Sequence, residues 1–247
     1  MNSKNIAQTS IAMWSGPRNI STAMMYAFAN RADCVAWDEP FYGAYLKATG
    51  YKHPMANEIL AGMECDAQKI AATCAAPSTK PLFYQKHMTH HMLPEFDRSF
   101  IRALNNAFLI RAPEKVLASY AKKHDEISLH AIGFIEQADI FDLVAQFLGH
   151  APPVVDGDIH LSNPRRSLQQ LCGKFDIAFD EAMLAWARGP KPCDGIWATH
   201  WYGAAWNSTG FGAPTQMPLE LPDHLKRIAD QARPYYEKLK AHALSAK

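Results

Sequence analysis

Apolar and polar positions alternate along this chain in short blocks. Compact apolar runs bounded by turn residues predict buried strands at 10–14, 34–37, 82–86 and 107–110. Apolar residues at helical spacing predict helices at 21–29, 58–75 and 113–123. Strands that alternate with helices imply parallel strands joined by right-handed crossovers, hence an open sheet covered on both faces. The second half is more helical. Residues 132–148 carry the helical period and 152–155 form one more short strand. Asn163 and Pro164 suit the cap and first position of another helix. A short helix at 179–187 ends at Gly189-Pro190, and 222–244 reads as a closing helix. Residues 189–220 are rich in Gly, Pro and Trp without periodicity, and so long a loop in a compact domain is functional or mobile.

Open parallel sheets bind ligands outside the carboxyl ends of their strands. The loops after residues 14, 37, 86 and 110 should therefore converge on one crevice. The first is the most informative. An apolar strand gives way to Ser15-Gly16-Pro17-Arg18-Asn19-Ile20, and Ser21-Thr22 opens a helix. Strand, tight turn and hydroxyl-bearing helix start form a cradle for an anion: free N–H groups and the macrodipole favour negative charge there. Arg18 adds a planar cationic fork. The lysine of a nucleotide-hydrolysing loop is missing, which argues against magnesium-dependent cleavage of ATP. A second segment runs from the strand at 107–110 through Arg111 and Pro113 to Ser119, so a strand end and an early helical serine can grip another phosphate.

Composition narrows the classes. The 247 residues fit one domain spanning 1–247, and 48% hydrophobic residues suffice for a core. A net charge of +1 argues against a general nucleic-acid binder. No apolar run reaches the ~20 residues needed to cross a bilayer, so no membrane partner is expected. The stretch 1–8 lacks an apolar signal core and reads as a short disordered lead-in. The five cysteines, Cys34, Cys65, Cys74, Cys172 and Cys193, form no Cys-x-x-Cys pair and read as free thiols in a reducing cytoplasm.

The two phosphate segments together resemble the sulfotransferase family. Pro17, Arg18, Asn19, Ile20, Ser21 and Thr22 are similar to its 5′-phosphosulfate loop, and Arg111 with Ser119, eight residues on, to its 3′-phosphate motif. Val155-Asp156-Gly157, Pro164, Leu168, Phe179 and Met183-Leu184-Ala185-Trp186 resemble the helical half of bacterial members. The resemblance implies a P-loop NTPase-like three-layer α/β fold with a central parallel sheet flanked by helices and a helical C-terminal part. It implies 3′-phosphoadenosine 5′-phosphosulfate as co-substrate, a small-molecule hydroxyl or amine acceptor, and no metal. Gly16, Pro17, Arg18, Asn19, Ser21, Thr22, Arg111 and Ser119 would hold the donor, with Arg18 also meeting charge in the transition state. Ile20 stands where the loop usually has Gly; it can serve if it keeps ordinary helical angles and points away from the ligand.

Two candidates for the general base stay open. Glu39, in Asp38-Glu39-Pro40, follows the second strand, and Pro40 keeps it out of helical geometry. The alternative is a histidine of the cluster His87, His90 and His91, beside Lys86, in a region that resembles the family's lysine-and-histidine setting. Zinc binding or plain loop exposure are the other readings of that cluster. Ser208, Thr209 and Phe211 lie in an aromatic segment that resembles the one folding over the donor in this family, and they could equally fill a satellite core. Stretches 41–63 and 189–218 would line the acceptor pocket, and neither carries a signature of the acceptor; no pattern codes for oligomeric state. A non-catalytic adenine-nucleotide binder and, less well supported, a small-molecule kinase are the rival functions.

Overall fold

A computed structural model describes residues 8–124, 127–214, 216 and 220–245. The lead-in expected at 1–8 lies, except for Gln8, outside them. Five strands form the sheet: β1 (Thr9–Ser15), β2 (Cys34–Asp38), β3 (Leu82–Met88), β4 (Asn105–Ile110) and β5 (Val154–Asp156). Every pairing is parallel and the order is β2-β3-β1-β4-β5. β1 lies in the centre and every residue from Ile11 to Ser15 is buried, as a strand covered on both faces requires.

The helices are α1 (Ser21–Ala29), α2 (Tyr42–Thr49), α3 (Ala56–Gly62), α4 (Ala67–Ala75), α5 (Pro113–Tyr120), α6 (Phe134–Leu148), α7 (Gly157–Ser162), α8 (Pro164–Lys174), α9 (Ala198–Trp201), α10 (Gly203–Trp206) and α11 (Asp223–Lys240). Side-chain alternation along β1 divides the core in two. Ala12 and Trp14 join Phe108, Val116, Phe141 and Leu225 under α5, α6 and α11. Ile11 and Met13 join Met24, Phe28, Tyr84, Leu171 and Trp197 on the other face. The sheet is thus the middle of three layers, the architecture expected from the sequence.

Local chemistry explains where elements differ from the expectation. The single helix expected over 58–75 is two, because Asp66 accepts from the backbone N–H of Gln68 and starts α4 afresh. Asp156 likewise caps α7, a helix the apolar pattern did not mark. The helix expected over 179–187 is a single 3-10 turn at Glu181–Leu184. From Gly189 to Trp206 the long segment is not a loose loop. Asp194 accepts from the Tyr26 hydroxyl at 2.7 Å and from Trp206 Nε1 at 2.8 Å, and Trp197 and Tyr202 are buried. Cys34, Cys74 and Cys172 are buried, and all five thiols are unpaired.

Candidate active site

The carboxyl ends of the strands open on a cavity of ≈ 880 Å³. Pro17 to Ala23 line one end of it, together with Arg111 and Ser119. Glu39, Lys86 and Tyr202 line the other, with His90, His91 and a wall of Tyr42, Tyr45 and Trp201 between the segments.

The first end is an anion cradle. No side chain caps α1, so the N–H groups of its first turn face outward with the positive end of the helix dipole. Arg18 Nε donates to Ser119 Oγ at 2.8 Å, and Arg111 Nη1 donates to the Arg18 carbonyl at 3.1 Å. Burial lowers the proton affinity of both arginines; the Arg111 charge lowers that of Arg18 further, while Asp158 and Asp156 act against burial at Arg111. The sequence suggested separate duties for Arg18 and for the Arg111–Ser119 pair. The structure gathers the three into one cluster.

Two loop residues act differently from the expectation. Ile20 takes φ 56°, ψ 16°, the left-handed geometry a glycine would adopt, and not ordinary helical angles. Its side chain lies against Gly157, so apolar packing holds the conformation. Gly16 lies outside the cavity lining, and a Cβ there would come within 2.5 Å of the Ile132 carbonyl. Its glycine serves the approach of the loop before α6. Asn19 is buried with its amide reaching 3.4 Å toward the Leu109 carbonyl, beneath the loop.

The second end is a buried charge cluster. Asp38 and Lys86 are register partners on β2 and β3. Lys86, 1% exposed, places Nζ 2.8 Å from Asp38 Oδ1, 2.5 Å from Glu39 Oε1 and 2.7 Å from the Tyr202 hydroxyl, which uses all three of its donors. Lys86, expected from the sequence as a catalytic residue, lines the cavity and holds Asp38, Glu39 and Tyr202 in place. Burial would lower its proton affinity, but Asp38 and Glu39 more than reverse this and keep it charged. Glu39 takes φ 43°, a strained angle for a non-glycine residue, fixed by backbone bonds to Lys86 and Tyr42. Burial, opposed by Lys86 and reinforced by Asp38, pushes its carboxyl up to about 7.

Strand parity separates the expected histidines. His87 points to the opposite face of β3 from Lys86, where it stacks on Trp14 at 4.4 Å and bonds Gln85 at 3.0 Å. Burial drops it to about 3. It is a core side chain, and the expectation that it acts as base is withdrawn. His90 and His91 do line the cavity, and His91 is sandwiched between Tyr42 and Tyr45 at 4.5 and 4.8 Å. With His87 on the other face, the three rings do not converge on a common metal position. Among the described residues no group of three or more His, Cys, Asp or Glu does so.

In the C-terminal segment, Ser208 lines the cavity but spends its hydroxyl on the Ala205 carbonyl and on Trp186 Nε1. Thr209 binds Trp186 through its carbonyl, and Phe211 packs edge-on against His160 and Trp186. Phe211 belongs to the satellite core, which corrects its expected place in the donor site. Tyr202 was missed as a site residue because it lies 116 positions from Lys86.

The chain belongs to a known enzyme family. The chain is a member of the sulfotransferases: the family model described as Sulfotransferase domain matches residues 9–243. Two Arabidopsis thaliana proteins, branched-chain-amino-acid aminotransferase-like proteins 2 and 1, are 36% and 35% identical over 233 residues, 94% of this chain. The chain spans only 41% and 42% of their lengths. Its fold is similar to that of the sulfotransferase domain from the curacin biosynthetic pathway, with a TM-score of 0.52, 16% identity, and 92% of this chain and 98% of that one covered. It is also similar to a sulfotransferase from Alicyclobacillus acidocaldarius, with a TM-score of 0.55, 8% identity and 95% of each chain covered. No helix among the described residues is long and apolar enough to cross a membrane.

Proposed function

We propose that this chain moves a sulfuryl group from 3′-phosphoadenosine 5′-phosphosulfate to a hydroxyl or amine of a small molecule. The observation that carries this reading is that the uncapped, arginine-flanked start of α1 and the carboxyl of Glu39 open on one cavity. The residues suit such a donor. The N–H groups at Ser21 and Thr22 would meet a 5′-phosphosulfate, and the cluster of Arg18, Arg111 and Ser119 offers a two-cation grip for a second phosphate, which would distinguish this donor from ATP.

When bound, the donor supplies an activated sulfur whose bond to the bridging phosphate oxygen breaks as the acceptor oxygen or nitrogen attaches in line. The protein's share is charge and position. Helix N–H groups and Arg18 meet the negative charge that grows on the bridging oxygen, and one preorganised donor of this kind contributes about 3–4 kcal/mol. Glu39 takes the acceptor's proton. A carboxyl titrating near neutrality is well matched to that task.

Calorimetric titration with 3′-phosphoadenosine 5′-phosphate tests the donor half. Binding to the wild type, weakened in Arg18→Ala and Arg111→Ala, is expected; no binding at high micromolar ligand sinks the reading. Binding without sulfuryl transfer to any of a broad panel of alcohols, phenols and amines points instead to a nucleotide-binding protein on the same fold.

A further inference from the structure

Glu39 shares its cation with a second carboxylate, and the two are served unequally. Asp38 receives three hydrogen bonds: Lys86 Nζ on Oδ1 at 2.8 Å, and on Oδ2 the Tyr202 hydroxyl at 2.7 Å and the Gly195 N–H at 3.2 Å. Lys86 Nζ donates to Glu39 Oε1 at 2.5 Å, the Tyr202 hydroxyl also lies beside that carboxyl, and the nearest ring nitrogen, His91 Nδ1, stands 3.8 Å from Oε2. Lys86 cannot serve Glu39 better without releasing Asp38 or Tyr202, since each of its three N–H groups has a partner.

We propose that Asp38 and Tyr202 are positioning residues for the base: they take two of the three Lys86 N–H groups and so set how firmly Glu39 holds a proton. One cation facing two carboxylates leaves room for one proton. Hydrogen bonds to an ionised carboxylate favour its charged form, so the proton settles on the carboxyl with fewer of them, Glu39. The groups that face Glu39 from the elements around it are Lys86 on β3, Asp38 on β2, Tyr42 on α2, His91 in the 3-10 turn after β3, and Tyr202 after α9. Tyr42 and His91 are held neutral at working pH, because burial raises the one and lowers the other. Only Asp38 and Lys86 set the local charge, and Tyr202 joins the two. Trp197 Nε1 lies 3.3 Å from the same hydroxyl and fixes its place.

The inference rests on Glu39 being the base only for its catalytic meaning; its physical content is tested directly. The carboxyl carbon of Glu39 is followed by carbon NMR across pH in wild type, Asp38→Asn and Tyr202→Phe, with Glu39→Gln identifying the signal. With Asp38 neutral, the Lys86 charge serves Glu39 alone, and the midpoint falls by about one unit or more, tenfold in proton affinity. In Tyr202→Phe the hydroxyl that joins Lys86 to Asp38 is gone, and the Glu39 midpoint shifts by a smaller step. Asp38→Glu restores part of the shift. Unchanged midpoints in both variants overturn the proposal, and Tyr202→Phe, nearly isosteric, keeps it testable if Asp38→Asn does not fold. A midpoint that moves while the pH–rate profile stays fixed supports the proposal and removes Glu39 from the base role.

Discussion

The two ends of the cavity are built in opposite ways. The anion cradle is local: a strand end, five loop residues and the first turn of a helix, supplemented by one further strand end and helix. Its charge-binding groups are backbone N–H dipoles and half-buried arginines. The other end is assembled from β2, β3 and a segment over a hundred positions away, and its charges are buried with Glu39 facing the cavity. One end presents the uncapped N–H groups of a helix start; the other shares a single lysine between two carboxylates.

Four perturbations separate the ends. The largest effect is expected from Glu39→Gln: turnover falls about 10²–10⁴-fold while calorimetry finds the nucleotide product bound as in the wild type. Full turnover in this variant puts the base elsewhere. Next, Arg111→Ala should weaken nucleotide binding by about 1.5–3 kcal/mol, roughly ten- to a hundredfold, and leave the Glu39 titration in place. A shift in that titration would mean that the ends are electrostatically one site.

Acid stability is the third probe. His53, His90 and His160 are held near 4 and His87 near 3, mainly by burial. A histidine kept neutral in the fold takes up its proton only on unfolding within this window. Stability is therefore intact above about 6.5 and lost as pH falls toward 4, at roughly 1.4 kcal/mol per unit for each such group. Glu39 has the opposite sign. Its folded form keeps a proton up to about 7, so it stabilises most at low pH and less as pH rises. Melting temperature should stay level from pH 8 to about 6.5 and fall from there to pH 5, more steeply in Glu39→Gln; a flatter dependence in that variant contradicts the sign. The smallest effect belongs to Ile20→Gly. Relief of left-handed strain, about 1 kcal/mol, is offset by lost contact with Gly157, so melting temperature and nucleotide affinity should barely move. A large loss of affinity would give Ile20 a part in the cradle beyond packing.

The cradle was legible in the sequence because its parts lie close together and each has a distinct residue type: Pro17-Arg18, Ser21-Thr22, then Arg111 and Ser119 at a fixed spacing. The parallel sheet and its two covered faces followed from the alternation of strands and helices. The base end was half legible. Glu39 stood out beside Pro40, and strand parity already separates Lys86 from His87, since alternate residues face opposite ways. Trp14, the register partner of His87, gives that ring an apolar neighbour and removes it from the crevice. Tyr202 carried no local signal. Its segment lacks periodicity, and what fixes it is long-range pairing with Asp38 and Lys86 and the anchoring of Asp194 to Tyr26 and Trp206. Ile20 misled for a further reason: a β-branched residue in left-handed geometry contradicts local propensity, and only packing on Gly157 explains it.

The Tyr202 contact also bears on the order in which the molecule assembles. Its partner Lys86 belongs to the sheet, whose strands lie within the first two-thirds of the chain, whereas Tyr202 arrives through a closure of 116 residues. Until that wall docks, Lys86 and Asp38 lack their common hydroxyl, while the start of α1 and its arginines are already in place. Local opening of the 195–206 wall would thus silence proton transfer and spare anion binding. Amide exchange should accordingly find this wall opening at lower free energy than β1 and α1.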